Sequence, residues 1–238
     1  MNNERIEGIG SLHGGEYESI KVEGMGKLKR DAKADQVTIE GMFKSKGKLE
    51  AEEVAIEGMA RVFRDMKVKR LNINGMLKVR HAKINAESIY CDGFLTCTGE
   101  VLADDIQIYG VCSVAKMYGD TIYISHQNGD IHIGDKEQLL KIVSSLGRMY
   151  LGRKVSINYN LVDHVECTKL TASGLRAKTV RADSVTLTDG CCVDKLYCDG
   201  EMHIDQSCKI GQIISTNGSC SNQETAISTD TNNLKLID

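Results

Sequence analysis

The chain contains no proline and no tryptophan, and only 5% of its 238 residues are aromatic. At the usual ~5% frequency about a dozen prolines would be expected. Proline has no N–H to donate and is excluded from the interior of hydrogen-bonded strand ladders, so its absence fits long runs of paired strand. The shortage of aromatic side chains argues against a thick globular core and suits a narrow interior filled by Val, Ile, Leu, Ala and Cys. No apolar run approaches the ~18 residues needed to span a bilayer, and the opening MNNERIEGIG is polar. A net charge of −3 and a pI near 6.1 do not suggest nucleic-acid binding. A hydrophobic content of 41% excludes a disordered chain.

Catalytic signatures are missing as well. There is no GxSxG, no HExxH and no glycine-rich phosphate loop followed by lysine. His13, His81, His126, His132, His164 and His203 show no metal-ligand spacing. The nine cysteines form no CxxC pair, and the adjacent Cys191 and Cys192 are badly placed to hold one ion. With no signal peptide at the start, they read as reduced thiols in a cytoplasm. Cys91, Cys97, Cys112, Cys167 and Cys198 fall where small inward-facing hydrophobes are expected. No catalytic residue, cofactor or metal is expected.

What the sequence has is a ladder of glycines. Gly8, Gly24, Gly41, Gly58, Gly75, Gly93 and Gly110 are separated by 16, 17, 17, 17, 18 and 17 residues, a period that signals a repeat architecture. Four and two residues before six of them stand paired apolar side chains: Ile20/Val22, Val37/Ile39, Val54/Ile56, Leu71/Ile73, Ile89/Cys91 and Ile106/Ile108. Small or apolar pairs follow at two and four residues after the glycine (Phe43/Ser45, Ala60/Val62, Leu77/Val79) and again at eight and ten (Ala32/Ala34, Leu49/Ala51, Met66/Val68). Each lap therefore carries three short runs of period two, the strand period. Three strands per lap predict an all-β, three-sided parallel β-helix of ~17 residues per coil, stacked so that each backbone group pairs with the coil above or below. Gly24, Gly41, Gly58, Gly75, Gly93 and Gly110 fit a crowded corner where a side chain would collide with its stacked copy.

Along the chain, residues 1–15 form a weak N-terminal coil and 16–126 the regular β-helix. Residues 127–154 form an insertion whose DKEQLLKIVSSLG stretch predicts an amphipathic helix over 135–147, capped by Asp135 and closed by Gly147. Residues 155–213 make a second, irregular solenoid section, which either continues the rod or folds beside it. Residues 214–238 read as a flexible polar tail.

Stacked coils put equivalent residues in rows. Glu23, Glu40, Glu57, Asn74 and Asp92 form an acidic row, and Lys27, Lys44, Arg61 and Lys78 a basic one. They are either a solvated surface or a docking face for anionic headgroups or an acidic partner. Directly after the glycines come Met25, Met42, Met59, Met76 and Phe94. Either this row faces outward as a lateral contact surface, or the glycine swings it into the core.

The coils SIKVEGMGKL, QVTIEGMFKSKGKL and EVAIEGMARV, with the later LRAKTVRADSVTLTDGCCVDKLYCDG, resemble the bactofilins, in particular their longer Gram-positive type. The resemblance covers roughly residues 16–213. It implies a right-handed β-helix that polymerises through its ends, without nucleotide, into cytoskeletal filaments. Such filaments scaffold cell-envelope or flagellar proteins in cell shape or motility, in the bacterial cytoplasm and commonly at the inner membrane face through a peripheral membrane contact. A β-helix left uncapped also presents unpaired backbone groups to another coil. The candidate polymer ends are Ile20 and Val22 on one side and Leu196, Ile204 and Ile210 on the other. Two alternatives stand beside this self-associating scaffold: a non-polymerising protein-binding adaptor, and a β-helix enzyme acting on a sugar or acyl substrate.

Overall fold

Between Ala32 and Ile39 the side chains of Ala32, Ala34, Val37 and Ile39 are buried, while Asp35 and Gln36 between them are both exposed. A straight strand buries every second residue. Two exposed neighbours mean that this strand turns a corner and restarts its alternation on a new wall. Met66–Ile73 repeats the pattern, with Met66 and Val68 on one wall and Leu71 and Ile73 on the next. Each lap thus has three walls: a short strand such as Met25–Leu28, then two walls shared by one bent strand.

The computed structural model describes residues 2–125 and 160–215. Within them run β1 (Asn2–Ile6), β2 (Ile9–Leu12), β3 (Gly15–Val22), β4 (Met25–Leu28), β5 (Ala32–Ile39), β6 (Met42–Ser45), β7 (Leu49–Ile56), β8 (Met59–Val62) and β9 (Met66–Ile73). They continue as β10 (Met76–Val79), β11 (Lys83–Cys91), β12 (Phe94–Ile108), β13 (Val111–Ile124), β14 (Asn160–Ser173), β15 (Leu175–Thr188), β16 (Cys192–Cys198), β17 (Met202–Ile204) and β18 (Lys209–Ile214). All join one parallel-paired sheet wound into a solenoid of about 11 turns. The expected all-β, three-walled solenoid is therefore present. The helix expected over 135–147 lies outside the described residues.

One inward row shows the stacking. Ile6, Val22, Ile39, Ile56, Ile73, Cys91, Ile108, Ile124, Ala172, Leu187 and Ile204 are successive register partners. From Val22 to Leu187 each is at most 1% exposed. Burying a Val, Ile or Leu side chain contributes ~1.5–3 kcal/mol, and the row repeats that contribution at every buried rung except those of Cys91 and Ala172. At ~4.8 Å per rung the rod is about 50 Å long.

The glycine corners are crowded for the expected reason. A Cβ on Gly41 would collide with the carbonyl oxygens of Gly24 and Glu23, and one on Gly58 with those of Gly41 and Glu40. The corner backbone is itself the hydrogen-bonding partner of the next turn: the Met42 N–H donates to Gly24 O at 2.8 Å, and the Glu40 and Gly41 N–H groups share Val22 O at 2.8 and 3.0 Å. Any side chain there pushes two bonded backbones apart.

Residues 160–215 continue the same rod, because β14 pairs directly on β13, with Val162 on Val114 and Leu170 on Ile122. The path passes from Ser125 to Asn160 at the corner where earlier turns have glycine. An insertion at a corner leaves the three walls in register. Tighter corners follow, with Gly174 and Gly190 at φ 59° and 69°.

The rod's ends differ from expectation. Residues 2–12, expected as a weak first coil, form a seated first turn: β1 and β2 stack on β3 and β4, pairing Ile6 with Val22 and Ile9 with Met25. Ile20 and Val22 therefore sit in the second rung, 1% and 0% exposed, and are not an end. At the other terminus Leu196 is fully buried beneath Ile213. Ile204 and Ile210 lie in the last described turn, where they are half-buried.

Candidate functional site

The methionine row faces outward. Ile9, Met25, Met42, Met59, Met76, Phe94 and Val111 are register partners in one column. Ile9 is 83% exposed, and Met25, Met42 and Met59 are 42%, 46% and 40% exposed. Met76 and Phe94 are half-buried and Val111 is buried. Alternation places Met25 outside because Gly26 and Leu28 occupy the inside of the same short wall. The glycine does not swing the row inward: the corner falls before the methionine, which opens the new wall in the outward phase.

Charged rows flank this column. On the corner side, Glu23 accepts Arg5 at 2.9 Å and Lys21 at 2.9 Å, and the Lys21 ammonium reaches on to Glu40 at 2.9 Å. Hydrogen bonds from Lys21 and Arg5 hold the Glu23 carboxyl below its ordinary range. Cations interleaved between stacked carboxylates relieve the like-charge repulsion that the row would otherwise carry. The same device recurs where Glu100 takes Lys83 at 2.7 Å and Lys116 at 3.2 Å.

On the other side of the methionines, Lys27, Lys44, Arg61 and Lys78 stack in register, followed by Thr96 and Ser113. The Lys44 ammonium stands 5.3 Å over the Phe63 ring, a contact worth ~0.5–1 kcal/mol at an exposed site. Lys78 differs from its neighbours in being only 4% exposed. Desolvation, with Arg80 and Arg61 adding repulsion, pushes its ammonium down to about 8. Methionines and basic side chains together line a shallow groove of about 480 Å³ that includes Met25, Met42, Met59, Met76 and Lys78.

A second basic surface lies at the next corner. His13, Lys29, Arg30, Lys46 and Arg64 surround an open depression of about 680 Å³ beside Gly14 and Gly15. Its one acid, Asp31, accepts the Lys48 N–H at 2.8 Å. A tyrosine ladder, Tyr90, Tyr109 and Tyr123, stacks at 5.4 and 5.3 Å between centroids on the third side.

The cysteines behave as packing. Cys91, Cys97, Cys112 and Cys198 are buried as expected, whereas Cys167 is only half-buried. Burial pushes the thiols of Cys91, Cys167 and Cys191 up to about 12, and that of Cys112 upward too. Cys191 was not legible as a structural residue. It closes a corner by donating to Thr188 O at 3.1 Å and accepting the Leu175 N–H at 3.3 Å.

The described histidines are scattered: His13 lies in the basic depression, His81 at a left-handed corner with φ 53°, and His164 5.9 Å from the Tyr118 ring. His203 is exposed. Among the described residues no group of three or more His, Cys, Asp or Glu is placed to hold a metal, and no helix is long and apolar enough to cross a membrane. What the arrangement can do is bind along an apolar and charged face and pair backbone at its ends. Comparison with protein-family models, curated proteins and solved structures finds no match for this chain.

Proposed function

We propose that this protein is a non-catalytic, self-assembling scaffold whose rods join through their end rungs without nucleotide. The last described turn carries this reading. Among the described residues β17 pairs only with β15 and β18 only with β16. Ile204, Ile210 and Ile213 pack on the core yet stay half-buried, whereas the rungs beneath are closed. A ladder edge backed by uncovered apolar side chains is a template for another strand. Repeated contacts of that kind build an open filament. Pairing N–H with C=O requires no nucleotide.

The resemblance to bactofilins supports the same reading, and with it a cytoplasmic rod that positions cell-envelope or motility machinery. The exposed methionine column favours a second reading, a non-polymerising adaptor that binds one protein partner along that face. Negative-stain microscopy and sedimentation of purified, nucleotide-free protein separate the two. The scaffold reading expects filaments that are lost in Ile213→Lys. A parent protein that stays monomeric across a wide concentration range supports the adaptor and overturns the scaffold.

A further inference from the structure

Six large apolar side chains are exposed among the described residues, and four of them, Ile9, Met25, Met42 and Met59, stand in the single outward column described above. The other two, Tyr90 and Met202, stand apart, and exposed apolar surface concentrated in one stripe marks a contact face. The flanks of this stripe carry opposite charge. At three consecutive rungs the order across the wall is acid, methionine, base: Glu23, Met25, Lys27; then Glu40, Met42, Lys44; then Glu57, Met59, Arg61.

A face with that order is complementary to itself in one orientation. Two rods laid face to face and related by a two-fold axis running along the rod are parallel, and left and right are exchanged between them. Methionine then meets methionine while each acidic flank meets the partner's basic flank. A two-fold axis across the rod makes the pair antiparallel and sets Glu on Glu and Lys on Lys, which costs several kcal/mol. We propose that the occupant of the methionine face is a second copy of this chain, paired side by side and parallel, with Met42 against Met42 and Lys44 against Glu40.

The chemistry favours a copy over a flat anionic membrane. Glu23, Glu40 and Glu57 border the apolar column on one side and would face the headgroups, while Lys78 is buried in the groove and out of their reach. Glu23 and Glu40 already hold Arg5 and Lys21, so the partner's lysines join an existing alternating chain of charge. From Ile9 to Met76 the column spans four rungs, ~19 Å. A patch of that length and similar width buries roughly 800 Å² in total, less than the ~1,000 Å² of a standing dimer. Single rods therefore pair weakly, and rods that carry several such faces in a row pair firmly.

Oxidative crosslinking captures a weak pair. Met42→Cys and Met59→Cys, each made in the full chain, are oxidised with copper–phenanthroline and compared with the parent and with Lys33→Cys on another wall. Parallel pairing expects disulfide-linked dimers at both methionine positions and only parent background at Lys33→Cys. Contact between N-terminal ends leaves two Met42 positions ~24 Å apart, far beyond disulfide reach, so this readout is independent of filament formation. In the Met42→Cys background, Lys44→Glu or Glu40→Lys alone brings the dimer down to background, and the two together restore it. The proposal is overturned if only one methionine position crosslinks, as in an antiparallel pair. It is equally overturned if the single charge reversals change nothing, or if both thiols react freely with a maleimide without crosslinking, which leaves the face to a different protein partner.

Discussion

The side-chain oxygen of Asn160 accepts the backbone N–H of Cys112 at 2.7 Å, across 48 positions of sequence. Asn160 is the first described residue after the chain rejoins the rod, and it is fully buried. Its amide oxygen supplies an acceptor at the inner edge of the corner where the regular ladder is interrupted. An unpaired backbone N–H at this depth costs ~1–3 kcal/mol. Among the described residues the amide nitrogen of Asn160 has no partner, which offsets part of the gain.

Asn160→Ala is therefore expected to destabilise by roughly 1–2 kcal/mol, read as a lower urea midpoint. Hydrogen exchange localises the effect: the Cys112 amide loses protection in the variant, while amides of the Val54 rung keep theirs. Unchanged protection at Cys112 would show that another group satisfies this N–H.

The corner glycines give a matched pair of substitutions. Gly58→Ala sets a methyl against the carbonyl oxygens of Gly41 and Glu40, both in backbone that cannot move without breaking the ladder. A loss of roughly 3–5 kcal/mol is expected, in the range reserved for overpacking of rigid structure. Gly8 occupies the equivalent place in the first turn, where an added Cβ meets nothing within 4 Å. Gly8→Ala should change stability by less than ~1 kcal/mol, with a small gain from a stiffer unfolded chain. Equal melting of the two variants would remove stacking as the reason for the glycine ladder.

That ladder is also why so much of the fold was legible. A solenoid repeats one local solution, so Gly41 with Val37, Ile39, Phe43 and Ser45 already encodes two of the walls, and the period supplies the stacking. The ends were less legible. Glu4 and Gly10 look like a degraded coil, yet backbone pairing to β3 and β4 does not depend on side chains, and it carries the rod one turn past Ile20 and Val22. Strict alternation puts the methionines outside, and what stayed open was whether the bend at the glycine swings them inward, which turns on the corner falling before Met25. Asn160 acts through one hydrogen bond to the backbone of Cys112 and Cys191 through bonds to the backbone of Leu175 and Thr188, roles with no signature in spacing or residue type.

Lys78 gives the rod a pH dependence in the alkaline range. Its ammonium is pushed down to about 8 in the folded chain from an ordinary 10.5. Below pH 8 both states hold the proton and folding bears the full penalty. Between pH 8 and 10.5 the unfolded chain binds the proton that the folded chain has released, so stability rises with pH. The penalty removed is roughly 1–3 kcal/mol, at ~1.4 kcal/mol per unit. Lys78→Met should be more stable than the parent at pH 7 by about that amount, with the difference shrinking toward pH 10. A difference that stays constant with pH would mean that Lys78 is not desolvated.

Thiol labelling tests the interior. At pH 8 a thiol raised to about 12 is ionised to only ~0.01%, and the thiolate is the reactive form. Cys91 and Cys191, both raised that far and both buried, should stay unmodified by iodoacetamide in the native protein, while half-buried Cys192 and Cys208 react first among the cysteines of the described residues. Peptide mass spectrometry after a timed quench reads the order directly. Early labelling of Cys91 would mean that the middle turns open.

A charge placed on the rod's axis distinguishes an interior rung from an end. Val22 lies between Ile6 and Ile39 with no exposed surface, so Val22→Lys buries an unpaired ammonium and should cost upward of ~4 kcal/mol, visible as lost cooperativity in urea. Ile213 sits over Leu196 in the last described turn and keeps part of its surface in water, so a lysine there can turn its ammonium outward for roughly 1 kcal/mol. The two variants thus separate folding from assembly: Ile213→Lys keeps the parent's far-UV spectrum and alters only what the end can bind. If Val22→Lys unfolded at the parent's midpoint, the first turn would not be seated on the second, and Val22 would be the true end of the rod.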